Sequence, residues 1–110
     1  MTKVVITKKD GHIVSVLAAG HTEYALEGED IVCAALSSIM QTALLGLLTV
    51  ASIQVDFEKD DEEGILKFDL PKLDKQQRHD ADIILETMLV GISDLYENFS
   101  KFIALKIKTS

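Results

Sequence analysis

The chain begins with β-branched residues, "KVVIT" at 3–7, which predict a short strand. Asp10-Gly11 follows, a dipeptide that closes two-residue hairpins. "IVSVLAA" at 13–19 then reads as the returning strand, ended by Gly20-His21. From Ile31 to Val55 no residue is charged, and the pattern predicts a helix over about 30–51. Ser38, Thr42, Gly46 and Thr49 share one stripe of it at helical spacing. A small, uncharged stripe suits close approach of another helix, either across a dimer seam or within the core.

"IQVDF" at 53–57 alternates apolar and polar residues, as a half-buried strand does. "EKDDEEG" reads as an acidic turn. "ILKFDL" at 65–70 alternates again, with Leu66, Phe68 and Leu70 on one face and Pro71 as its stop. Asp74 and Gln77 have the spacing of a capping box. Beyond them Ile84, Leu85, Met88, Leu89, Ile92, Leu95, Tyr96 and Phe99 form the apolar face of a second helix, with Asp82, Glu86 and Glu97 on its wet side. "FIALKIK" at 102–108 supplies a last strand. The order ββαββαβ predicts a single α+β domain over 1–110, two-layered, with a largely antiparallel sheet and both helices on one face.

The uncharged stretch is long enough to raise the question of a membrane span, which needs about 20 apolar residues. Ser37, Ser38, Gln41, Thr42, Thr49 and Ser52 interrupt it, and no basic anchors flank it. A buried helix and no membrane contact are the expectation. A chain of 110 residues builds one modest core, and a second copy would bury more surface, so a homodimer is expected. The net charge of -7 argues against nucleic acid, which selects clustered Lys and Arg, and suits a basic partner. The first residues lack the pattern of a secretory leader, and the single cysteine rules out an internal disulfide. Both features point to the cytoplasm.

That cysteine, Cys33, follows Asp30, a residue type that caps helices well. With Asp30 as cap, Ile31 is the first helical residue and Cys33 the third. The helix dipole there suits an anionic nucleophile. His21 ends a strand and Cys33 starts a helix, so a folded-back loop brings both to one rim of the sheet. An imidazole beside a thiol is the base that thiol catalysis needs. Asp30 would orient that imidazole or simply cap the helix. Ser37, one turn on, offers a hydroxyl to the sulfur or to the carbonyl of Cys33. Gly20 reads as a sharp turn before His21, and His12 and His79 as solvated. Unpaired cysteines are also among the most buried residues, and Ala34, Ala35 and Leu36 follow this one. No metal-ligand set and no phosphate-cradling glycine motif are legible, and no cofactor is called for.

The segment from Gly20-His21 through "GEDIVCAALSS" at 28–38 resembles the Prp family of ribosomal-processing cysteine proteases. The matching positions are Gly20, His21, Gly28, Asp30, Ile31, Val32, Cys33, Ala34 and Ser37, and "ILETMLVGI" at 84–92 is similar to the family's second helix. The resemblance implies a homodimeric endopeptidase that removes the N-terminal extension of a large-subunit ribosomal protein. It implies Cys33 as nucleophile, His21 as general base and acid, Asp30 and Ser37 as supporting groups, and the loop 22–29 as the segment that admits the peptide. Gly20, Thr22, Tyr24, Leu26 and Gly28 would then contact substrate. The chain departs from the family in Thr22, where alanine is frequent, and in having no glycine between His21 and Gly28.

Two other classes compete. A non-catalytic acidic module would bind a basic ribosomal or assembly protein with Cys33 simply buried. A thiol redox enzyme is disfavoured, because no second cysteine is present to resolve a disulfide.

Overall fold

A computed structural model describes residues 1–20 and 29–110, with Glu29 and Asp30 described by backbone alone. The elements are β1 (Thr2–Lys9), β2 (His12–Ala19), α1 (Glu29–Leu45), a π-helical turn (Gly46–Val50), β3 (Asp56–Asp60), β4 (Ile65–Asp69), α2 (Lys75–Asn98) and β5 (Ile103–Thr109). The order is the ββαββαβ expected from the sequence, and the five strands lie in the order β3-β4-β2-β1-β5. Every pairing is antiparallel except β1 with β5, which run parallel.

The topology follows from strand direction. β2 and β3 point the same way with β4 between them, so α1 is a crossover between parallel, non-adjacent strands. β4 and β5 also share a direction, and α2 carries the chain from one to the other past β2 and β1. The two crossovers run in opposite senses across the sheet from strands of opposite direction. The right-handed preference therefore sends both helices to one face. Into that face the strands direct Val4, Ile6, Ile13, Val16, Leu66, Phe68 and Ile103. The helices meet them with Val32, Leu36, Met40, Leu44, Leu47, Ala81, Leu85, Met88 and Ile92.

Local chemistry accounts for most boundaries. Asp10 and Gly11 both have positive φ, 53° and 81°, as the favoured two-residue hairpin turn requires. The β1–β2 register slips between Thr7 and Lys8. The capping box forms: the Asp74 carboxylate accepts from the Gln77 N–H at 2.8 Å, and the Gln77 side chain accepts from the Asp74 N–H at 3.1 Å.

Four local expectations are corrected. β3 starts at Asp56, three residues later than the alternation suggested, and runs into the acidic segment. Ile53 and Val55 are buried in the preceding irregular stretch, and cross-strand pairing sets the strand (Glu58 opposite Lys67, Asp60 opposite Ile65). The first helix ends in a π turn, closed by Ala51 N–H on the Gly46 carbonyl at 3.0 Å and Ile53 N–H on the Leu47 carbonyl at 2.8 Å. Its extra residue turns Val50, rather than Thr49, onto the Ser38–Thr42–Gly46 stripe. Asp82, expected on the wet side, is half-buried and paired, and His12 is not simply solvated. The His12 Nδ1 lies 2.8 Å from Asp82 Oδ2, Arg78 Nε donates to Asp82 Oδ1 at 2.9 Å, and Arg78 Nη2 donates to the Ile13 carbonyl at 2.9 Å. This cluster pins the hairpin to the start of α2. Finally, Tyr96 and Phe99 end the apolar face of α2 exposed.

The uncharged stretch Ile31–Val50 is long and apolar enough to cross a membrane by composition, yet one face of it supplies Val32, Leu36, Met40, Ala43, Leu44 and Leu47 to this core. Its second face packs on α2 through two reciprocal contacts. A methyl at Gly91 would meet Ile39 at 3.4 Å, and one at Gly46 would meet Ile84 at 3.7 Å. Part of the small-residue stripe therefore serves packing within the chain.

Replacing Asp74 with Ala removes the cap acceptor and should cost about 1 kcal/mol of stability. Urea denaturation checks this: the midpoint falls while the slope stays the same.

Candidate active site

α1 begins two residues earlier than Asp30 as a cap would allow, so Asp30 is its second residue and Cys33 its fifth. The Cys33 N–H thereby falls within the helical ladder, and the donors without an intrahelical partner are those of the first turn. Helical side chains lean toward the N-terminus, which carries the sulfur back over that same turn. Cys33 is half-buried rather than sealed in the core.

Its partner is a residue that sequence reasoning passed over. The Thr2 Oγ1 lies 2.8 Å from the Cys33 Sγ. Thr2 is 6% exposed and shares the core-facing side of β1 with Val4 and Ile6. Its N–H donates to the Phe102 carbonyl at 2.9 Å, which ties the start of β1 to the start of β5. Alternation alone would have placed Thr2 on the buried face, where a hydroxyl needs a partner. The sequence gives no sign that the partner would be Cys33.

Gly20 is required for a different reason from the turn expected of it. A Cβ there would lie 2.7 Å from the Met1 carbonyl oxygen and 2.7 Å from Thr2 Cα. The end of β2 therefore lies directly on the backbone of β1. The Gly20 N–H also donates to the Gly64 carbonyl at 3.1 Å, joining this corner to the β3–β4 turn.

Around the sulfur is an open cavity of about 220 Å³. Cys33, Leu36, Ser37, Met40 and Gln41 of α1 form one wall, and Thr2, Ala18, Gly20, Ile65 and Leu66 form the sheet wall. Lys59, Asp60, Asp61 and Gly64 close the third side. Ser37 thus shares the cavity with Cys33, while the hydroxyl in contact with the sulfur is that of Thr2. The Asp60 carboxylate accepts from the N–H groups of Glu62 and Glu63, both at 3.1 Å, and so shapes the acidic turn. Lys59 reaches Asp61 at 3.7 Å and Gln41 at 3.4 Å. His21, Thr22, Tyr24, Leu26 and Gly28, together with the Asp30 side chain, lie outside the described residues.

A half-buried thiol on a helix at the rim of a sheet, facing an open cavity, is within reach of a molecule bound there. Comparison with known proteins gives the family. Residues 1–104 match the model of the family described as cysteine protease Prp. This chain belongs to the Prp family of cysteine proteases. It is 31% identical over 109 residues to the ribosomal processing cysteine protease Prp of Staphylococcus aureus, covering 98% of this chain and 100% of that one. To the Bacillus subtilis protein of the same name it is 25% identical over 91 residues, 82% of this chain and 81% of that one. Among solved structures, SMU.848 from Streptococcus mutans superposes with a TM-score of 0.88 at 30% identity, covering 100% of this chain and 96% of that one. The S. aureus Prp protease in complex with a substrate peptide gives 0.88 at 28% identity, covering 98% and 100%. The Prp-type fold and the cysteine protease activity expected from the sequence are therefore established for this chain, and Cys33 is its single cysteine.

Adding one methyl at position 20 tests the corner that carries the sulfur. The backbone atoms facing Gly20 cannot yield as a flexible side chain would. Gly20→Ala should destabilise the protein by about 1–3 kcal/mol, seen as a lower chemical-denaturation midpoint.

Proposed function

We propose that this protein is a ribosomal-processing endopeptidase that removes the N-terminal extension of a large-subunit ribosomal protein, with Cys33 as nucleophile and His21 as general base and acid. The observation that carries the reading is the placement of Cys33, half-buried and open to a cavity at the rim where β2 ends and α1 begins. His21 directly follows Gly20 in the chain, and Gly20 lines that same cavity. The substrate assignment rests on relatives named as ribosomal processing proteases and on one of them bound to a substrate peptide.

The chemistry is acyl transfer. His21 takes the proton of Cys33, and the sulfur attacks the scissile carbonyl carbon. Free N–H groups of the first turn of α1 offer donors to the oxyanion. His21 then protonates the leaving amine, which departs as the new N-terminus of the ribosomal protein, and water releases the extension from the thioester with a new C-terminal acid. Asp30 orients the imidazole or holds the helix start, and Ser37 supplies a further hydroxyl to the cavity. Thr22, Tyr24, Leu26 and Gly28 line the incoming peptide together with Gly20. No cofactor enters these steps. Ribosomal proteins are basic, and the acidic turn at the cavity mouth favours such a partner; the reaction belongs in the cytoplasm, where those proteins are made.

A homodimer is part of the same reading. An apolar groove of about 570 Å³ runs between α1 and α2, lined by Ser38, Thr42, Gly46, Val50, Ile83 and Thr87 among others. Val50 is 82% exposed and Ile83 57%, on helices whose opposite faces form the core. A second copy would cover this surface, as the chain length led us to expect.

Incubation with the N-terminal peptide of the ribosomal protein, read by mass spectrometry, tests the proposal. Cys33→Ala should abolish cleavage, and persistence of the products would refute it. His21→Ala should slow turnover by roughly 10²–10⁴-fold; an unchanged rate would place the base elsewhere. In sedimentation, the wild-type protein should be dimeric. Val50→Asp should yield a folded monomer, because the exposed site tolerates a charge in one copy but not across a seam.

A further inference from the structure

We infer that Thr2 is a positioning residue for the nucleophile: its hydroxyl holds the Cys33 sulfur in place and donates to it once the thiol has given up its proton. The inference rests on Cys33 being the nucleophile, as proposed above. It starts from the 2.8 Å contact between Thr2 Oγ1 and Cys33 Sγ, across the gap between β1 and α1.

Thr2 has little freedom to do anything else. It is 6% exposed, its N–H is bound to the Phe102 carbonyl at 2.9 Å, and its Cβ lies 3.3 Å from where a Cβ on Gly20 would stand. A β-branched side chain is also stiff about χ1. The hydroxyl is therefore presented from a fixed frame made of three strand ends. Shape alone does not ask for it, because valine fills the same volume and would suit a face shared with Val4 and Ile6. A buried hydroxyl costs stability unless it is bonded, and here the bond is to sulfur. Among the described residues no buried side-chain nitrogen or oxygen lacks a partner.

The direction of the bond follows from the chemistry. In the neutral thiol either atom can donate. A thiolate has no proton, so in that state Thr2 must be the donor. A hydroxyl donating to an anion makes a stronger bond than a thiol donating to a hydroxyl. The contact is thus firmest in the form of the cysteine that attacks.

Two pairs of variants separate the hydroxyl from packing. Thr2→Val keeps the shape of the wild type and loses only the hydroxyl; Thr2→Ser and Thr2→Ala differ from each other only in the hydroxyl. The readout is the second-order rate of Cys33 alkylation by iodoacetamide at neutral pH, with thermal unfolding recorded alongside. We expect Thr2→Val to react about tenfold more slowly than wild type, Thr2→Ala about tenfold more slowly than Thr2→Ser, and Thr2→Ser to stay close to wild type. Peptide cleavage should fall in kcat, with KM little changed. An unchanged alkylation rate within either pair overturns the inference, and if Thr2→Val does not fold, the Ser/Ala pair decides. Alkylation needs no ribosomal peptide. A wild-type protein that fails to cleave the peptide therefore sinks the proposed substrate and leaves the role of Thr2 to be read separately.

Discussion

The close approach of Gly20 to the backbone of Met1 and Thr2 is the constraint on which the rest depends. With 2.7 Å between those backbone atoms and the position a Cβ would take, only glycine lets β2 end there. The same residue reaches the β3–β4 turn through its N–H. One short corner thereby fixes the starts of β1 and β5, the end of β2 and the β3–β4 turn. α1 lies directly over this corner, and its sulfur is held from below by Thr2. The Cys33 sulfur is positioned over a corner built by the packing of backbone on backbone, which is stiffer than any arrangement of long side chains.

The apolar character of α1 becomes intelligible in this frame. Its first face joins the core with Val32, Leu36, Met40 and Leu44. The second lies against α2 through the Ile39–Gly91 and Gly46–Ile84 contacts, where each glycine admits the isoleucine of the other helix. A charge on the first face would be buried without a partner. At its far end the helix does not fray. The π turn passes into Ser52 at a φ of 53°, and Ile53 folds back to Leu47, both side chains buried. A helix anchored at both ends and along two faces is a rigid mount for the Cys33 side chain.

The parts of the fold that are governed by neighbours in sequence were legible. Asp10-Gly11, Pro71 and the Asp74–Gln77 pair all act within four residues, and each did what its chemistry requires. The parallel pairing of β5 with β1 was not, because register between distant strands depends on where two crossovers land. β3 was misplaced for a related reason: Ile53 and Val55 carry the alternation, but they are buried in an irregular stretch, while the strand itself is set by β4. At the site, Cys33 and its helix could be read directly. Thr2 could not, since a threonine at the head of a β-branched run looks like any other strand residue. Its role exists only because α1 returns over the sheet at that point.

The placement of the acidic turn follows from the same topology. The crossover through α1 joins β2 to β3, so the helix start and the end of β3 stand at one rim of the sheet. The residues after β3 are Asp61, Glu62 and Glu63, and Asp60 turns its carboxylate onto the N–H groups of Glu62 and Glu63. The side chains left to face water are carboxylates, beside the cavity that holds the sulfur, and Lys59 offsets only one of them. A net charge of -7 would keep any small protein soluble wherever it lay. At this mouth Asp60 and Asp61 line the cavity itself, so their field acts within the roughly 8–10 Å that salt allows. The acidic turn thereby sets the charge met by anything that enters beside the sulfur.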